Sequence, residues 1–145
     1  EIVLVTGVQT CALPISTTGL AKSGVQFYVT TFRLAIDADL DAPLGIEFSA
    51  PAGTVARLMF WVNGYQFGKA VFHIGPQLRF PVPPGIINNR GDNTLAISLW
   101  AQTDEGARVS GVKLINYGLY QTDFEFNADW RYLQPKYVGG REKYA

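Results

Sequence analysis

Side chains able to attack, to hold a metal or to relay protons are scarce in this sequence. His73 is the only histidine and Cys11 the only cysteine. A zinc site would therefore have to lean on carboxylates, and no G-x-S-x-G stretch supports a Ser-His-Asp set. His73 reads as a surface or loop histidine. Asp37, Asp39 and Asp41 alternate as at the opening of a calcium loop, but the sixth and twelfth positions of that loop hold Ala42 and Phe48 instead of glycine and glutamate. A solvated strand-to-strand turn accounts for the three aspartates. No metal and no cofactor is expected. The run from Gly85 to Asn93 is rich in Gly, Asn and Asp, yet no helix follows it, so it is not a phosphate-binding loop. It reads as a plain connection, with contact to sugar hydroxyls as the alternative.

What remains is stacking. Trp61 and Trp100 each fall on the face of a predicted strand that points away from the core, where large apolar groups are normally avoided. If the two strands are neighbours, the indoles share one patch, and such patches mark interaction surfaces. With Asn63 and Tyr65 from the adjoining turn, they are the candidate carbohydrate or interdomain contacts. Three readings stay open: packing against a neighbouring domain, a platform for sugar rings, or burial beneath a loop.

The elements that must position these residues follow from parity. In the run from Val55 to Val62, Ala56, Leu58, Phe60 and Val62 share one face, against Val55, Arg57, Met59 and Trp61 on the other. Asn63-Gly64 directly after it predicts a type I′ hairpin, because both central residues need positive φ, and the next strand should start at Tyr65. From Thr94 to Gln102, Leu95, Ile97 and Leu99 oppose Thr94, Ala96, Ser98 and Trp100. Val25 to Ile36 also reads as a strand, but its apolar parity changes partway, which predicts a bulge near Thr30-Thr31 or burial on both faces. Leu44 to Phe48 is a short strand with Glu47 facing solvent. Gln77 to Val82 turns Leu78, Phe80 and Val82 inward, and its prolines restrict it to an edge. Arg108 to Asn116 is a further strand, with Ser110, Val112 and Leu114 assigned to the inward parity. Many short strands separated by Gly, Pro and Asn turns predict an all-β, jelly-roll β-sandwich of about eight antiparallel strands.

Several of these segments carry a family resemblance. Phe60-Trp61-Val62-Asn63-Gly64-Tyr65-Gln66-Phe67-Gly68-Lys69, Ile74-Gly75-Pro76-Gln77, Phe80-Pro81-Val82-Pro83, Gly85-Ile86 and Ala96 to Gln102 resemble the C-terminal jelly-roll domain of glycoside hydrolase family 35 β-galactosidases. The resemblance runs from about Phe27 to Tyr137, and Gln134-Pro135-Lys136-Tyr137 resembles the way family members end. It implies a galactose-binding-domain-like fold in a multidomain enzyme that hydrolyses terminal β-galactosides with retention through two glutamates on a separate catalytic barrel. Retaining hydrolysis needs two carboxyl groups flanking the bond, one as nucleophile and one as acid and base. Nothing in this chain matches those glutamates, so no catalytic residue is expected. The implied role is an accessory domain that packs against the barrel and other β-domains, which puts interdomain packing first among the readings of Trp61 and Trp100. A stand-alone carbohydrate-binding module for galactosides is the alternative, and a purely structural spacer a third. Secretion of the parent enzyme follows from the resemblance alone.

Val5 to Ile15, VTGVQTCALPI, resembles one reading frame of a short-read sequencing adapter. Residues 1–16 are therefore read as a non-native leader, with a genuine leading strand as the alternative, and residues 17–145 as the jelly-roll domain. Cys11 falls inside the leader, which leaves the rest without cysteine. The 145 residues suffice for one domain. Twelve acidic residues balance twelve basic ones, without the basic footprint of a nucleic-acid binder. No apolar run approaches the roughly 18 residues of a helical membrane span.

Overall fold

The computed structural model describes residues 3–5, 11–13 and 18–123. The predicted positions of Pro14, of the tail from residue 124 onward and of its family-like ending lie outside them. Strands are the only extended regular elements described: β1 (Val3–Val5), β2 (Cys11–Ala12), β3 (Gly24–Ala35), β4 (Leu40–Asp41), β5 (Leu44–Ser49), β6 (Ala56–Val62), β7 (Tyr65–Val71), β8 (Arg79–Pro81), β9 (Arg90–Ala101), β10 (Gly111–Asn116) and β11 (Tyr120–Gln121). A single 3-10 turn, Pro84–Ile86, precedes β9.

They form a five-stranded sheet in the order β1-β3-β9-β6-β7, a four-stranded sheet in the order β2-β10-β5-β8, and a small β11-β4 pair. All pairings are antiparallel except β1 with β3. From β5 to β6 and from β7 to β10 the chain alternates between the two large sheets, as a jelly-roll sandwich requires. The described part of the leading segment takes part: β1 lies along β3, and β2 along β10.

The inner faces are those that parity predicts. Ala56, Leu58, Phe60 and Val62 from β6 and Leu95, Ile97 and Leu99 from β9 are fully buried against Ile46, Phe48, Val112 and Leu114 of the other sheet. Burying a large aliphatic or aromatic side chain contributes roughly 1.5–3 kcal/mol, so these positions dominate the stability. An aromatic cluster joins the layers: Phe60 lies 4.9 Å from Phe48, 5.1 Å from Phe80 and 4.7 Å from Phe67, centroid to centroid. Opposite Phe60 on β7 stands Gly68, and the ring fills the space its missing side chain leaves; a Cβ there would sit 1.9 Å from a ring carbon. Asn63 and Gly64 have φ of 48° and 81°, and β7 begins at Tyr65, so the hairpin forms as its sequence predicts.

Other expectations need correction. β3 has no bulge: its register with β9 is unbroken from Gly24 opposite Ala101 to Ala35 opposite Arg90. Nor is it buried on both faces, since Val25, Phe27 and Val29 are exposed. The bulge lies instead in the hairpin, between Phe60 and Trp61, where Phe67 is the extra residue. β9 starts at Arg90, so the end of the predicted loop is already paired. Ser110 is exposed and Val109 buried, the reverse of the predicted parity, because the ladder starts only at Gly111 and alternation does not carry through the loop before it. The strand expected over Gln77 to Val82 shortens to Arg79–Pro81, at the edge where prolines are tolerated.

Candidate functional site

The outward face of the five-stranded sheet is built from three cross-strand rows. Val25, Trp100, Arg57 and Val71 form the first, Phe27, Ser98, Met59 and Lys69 the second, and Val29, Ala96, Trp61 and Gln66 the third. Side chains in such rows stand about 4.5–5.5 Å apart, so the apolar ones make one continuous surface. Val25 is 65% exposed, Val29 53%, Phe27 51%, Trp100 46% and Met59 41%. On an antiparallel sheet the face away from the core is ordinarily polar. Here it is not.

Local sequence explains the shape. Ala96 and Ser98 on the central strand are small, so Phe27 of β3 reaches across them to Trp61 of β6, with ring centroids 5.5 Å apart and planes tilted by 54°. Trp61 is thereby half-buried. Trp100 stays open on the first row, with the Arg57 guanidinium 5.6 Å from its ring centroid.

The four candidate contacts divide between two environments. Trp61 and Trp100 do share one face, on neighbouring strands. Asn63 and Tyr65 do not join them. Asn63 is buried, and its amide donates to the Ile86 carbonyl (2.7 Å) and to Asn93 Oδ1 (2.8 Å) while its oxygen accepts from the Thr94 N–H (2.9 Å). Its side chain thus holds the hairpin tip against the 3-10 turn. Tyr65 packs against the core cluster. Sequence reasoning missed Val25, Phe27, Val29, Arg57 and Met59 as parts of the face. The usable signal was the apolar run on odd positions of β3, which parity alone could not separate from a bulge.

Clefts open elsewhere among the described residues, two of them the following. One of about 360 Å³ lies among Asp41, Leu44, Pro81, Pro84 and Tyr117. The other, of about 570 Å³, is lined by Thr54, Thr103, Glu105 and Arg108 among others, with no aromatic ring in its wall. Glu105 is held below the ordinary carboxylate range, chiefly by a hydrogen bond from the Thr103 side chain. Glu47 pairs with Arg79 on the four-stranded sheet, and Asp92 with Arg33 at 3.1 Å. His73 is exposed in a turn. Among the described residues no three His, Cys, Asp or Glu side chains converge as metal ligands would, and no helix is long and apolar enough to cross a membrane.

The family described as "Beta-galactosidase second all-beta domain" matches residues 8–105. The chain belongs to that family. It is an accessory all-β domain of the glycoside hydrolase family 35 β-galactosidases. Over 127 residues it is 63% identical to the "Probable beta-galactosidase C" of Sclerotinia sclerotiorum, covering 88% of this chain and 13% of the relative. The proteins of the same name from Aspergillus clavatus (54% over 127 residues; 88% and 13%) and Penicillium rubens (55% over 126 residues; 87% and 13%) are similar to it as well. This β-galactosidase domain thus spans about an eighth of the length of these relatives, a small part of a larger protein. A solved "family 35 carbohydrate binding module from an environmental isolate" covers 81% of this chain and 94% of its own at 18% identity, with a TM-score of 0.37, too low to carry an argument.

Proposed function

We propose that this domain packs the outer face of its five-stranded sheet against a neighbouring domain of its parent polypeptide, and so helps frame the galactoside site of a catalytic barrel. The parent enzyme, on this reading, hydrolyses terminal β-D-galactosides with retention through two glutamates on the barrel, outside the cell. The observation that carries the reading is the continuous apolar surface of Val25, Phe27, Val29, Met59, Trp61 and Trp100, larger in reach than scattered surface hydrophobes need be. A domain that makes up a small part of its relatives has neighbours to cover such a face. The division at residue 17, with a foreign leader before it, belongs to the same proposal and is tested by resequencing the parent locus.

The test is a hybrid of the Sclerotinia sclerotiorum relative in which this chain replaces the matching 127 residues. Phe27→Asp in the hybrid is expected to lower the unfolding temperature by several degrees and to reduce hydrolysis of a nitrophenyl β-galactoside. In the 145-residue chain alone the same exposed substitution should cost only about 1 kcal/mol. Equal effects in both settings would remove the docking reading.

One observation favours a carbohydrate-binding module as the second reading: the Trp100 indole is nearly half exposed beside the polar Ser98. Galactose or lactose titration of the chain, followed by tryptophan fluorescence, should on that reading give saturable quenching that is lost in Trp61→Ala and Trp100→Ala. On the docking reading no saturable response is expected.

A further inference from the structure

Arg57 stands in the first row between Trp100 and Val71, and its surroundings leave it incompletely satisfied. Its guanidinium rests over Trp100, its Nε is buried without a hydrogen-bond partner, and no carboxylate pairs with it among the described residues. A buried donor without an acceptor is uncommon in native proteins. The charge pattern is equally one-sided. The three rows contain Arg57 and Lys69 and no acid; Asp92, further along β9, is already engaged by Arg33.

Covering this face as it stands would bury the Arg57 charge among Trp100, Met59 and Val71. Burying a charge without a counter-ion is strongly unfavourable, whereas a guanidinium fork matched by a carboxylate is a geometry that interfaces tolerate and use for register. A neutral sugar could stack on Trp100 but would bring no opposite charge. We infer that the neighbouring domain presents an apolar surface carrying one carboxylate, Asp or Glu, which lands on the Arg57 guanidinium and sets the register of docking. This rests on the docking reading above and adds to it the chemistry of the partner.

Arg57→Lys in the hybrid enzyme keeps the cation and supplies an amine that carbodiimide can couple. The reagent activates a carboxylate as an O-acylisourea, the lysine amine attacks it, an amide forms and the urea leaves. Peptide mapping is expected to show position 57 joined to an Asp or Glu outside this chain. In parallel, Arg57→Met is expected to lower the unfolding temperature of the hybrid more than Arg57→Lys does, because it leaves the partner's carboxylate buried without a counter-ion. No adduct at position 57, or one only to a carboxylate within this chain, would overturn the inference if Phe27→Asp still destabilises the hybrid. If Phe27→Asp has no effect either, the docking reading itself falls, and the inference with it.

Discussion

Phe60→Ala is expected to lower the unfolding free energy of the chain by about 3–5 kcal/mol, towards the upper end of that range for aromatic truncations. Phe60 is fully buried, and its ring meets Phe48 and Phe80 from the four-stranded sheet and Phe67 from the neighbouring strand, so it ties its own strand to three others across both layers. The cost of such a truncation depends on how far the surroundings can collapse. Here they can collapse little, because the wall beneath the ring is the bare backbone of Gly68, which has no side chain to move into the void. Phe27→Ala removes the same number of atoms from the outward face, where half of the side chain already meets water. It should cost no more than about 1 kcal/mol. Urea unfolding of the two variants measures the contrast, and similar losses for both would mean that the inner cluster does not dominate the fold.

The strands nearest the site were readable because each buries one face completely. In β6 and β9 the alternation has only one apolar side wide enough to be a core, and Asn63-Gly64 fixes where the chain reverses. β3 was ambiguous for a physical reason: its outward positions Val25, Phe27 and Val29 are as apolar as its inward Phe32 and Leu34. Parity separates two faces but does not say which of them is the core when both are hydrophobic. The same property that obscured β3 makes the surface of interest, since strands covered on both faces lose the polar half of their pattern, as the docking reading proposes for this sheet. Arg57 was legible only as an outward residue; its position over Trp100 depends on the β6-β9 register, which pairs them directly. Val109 and Ser110 were misplaced because parity holds within a ladder and is lost through a loop. Asn63 reads from sequence as a turn residue beside Trp61 and hence as a candidate contact. Its burial depends on Asn93, 30 residues away, a partner that no local pattern announces.

That partner carries the second large effect. Asn93→Ala is expected to destabilise the chain by roughly 2–4 kcal/mol, because a buried donor or acceptor left unmatched costs about 1–3 kcal/mol and several are left at once. Asn93 is 1% exposed. Its oxygen accepts from Asn63 Nδ2 (2.8 Å) and from the Asn88 N–H (2.7 Å), and its amide donates to the carbonyls of Asn88 (2.8 Å) and Gly91 (3.2 Å). Asn63 keeps its bond to the Ile86 carbonyl in the variant, so the hairpin tip stays tethered on one side. The Asn88 N–H and carbonyl both lose their bonds to the Asn93 side chain, and the start of β9 should loosen. Asn88→Ala is the informative control, since the Asn88 side chain accepts only from the Arg90 N–H at a partly exposed site and should cost less than about 1 kcal/mol. Urea unfolding gives the two energies, and amide hydrogen exchange at Asn88 and Thr94 locates them. Faster exchange there in Asn93→Ala, with the β6 amides unchanged below the global transition, is the expected pattern. A loss for Asn93→Ala no larger than that for Asn88→Ala would mean that the amide network is not what joins the hairpin to β9, and that the apolar contacts of Ile86 and Ile87 hold them together instead.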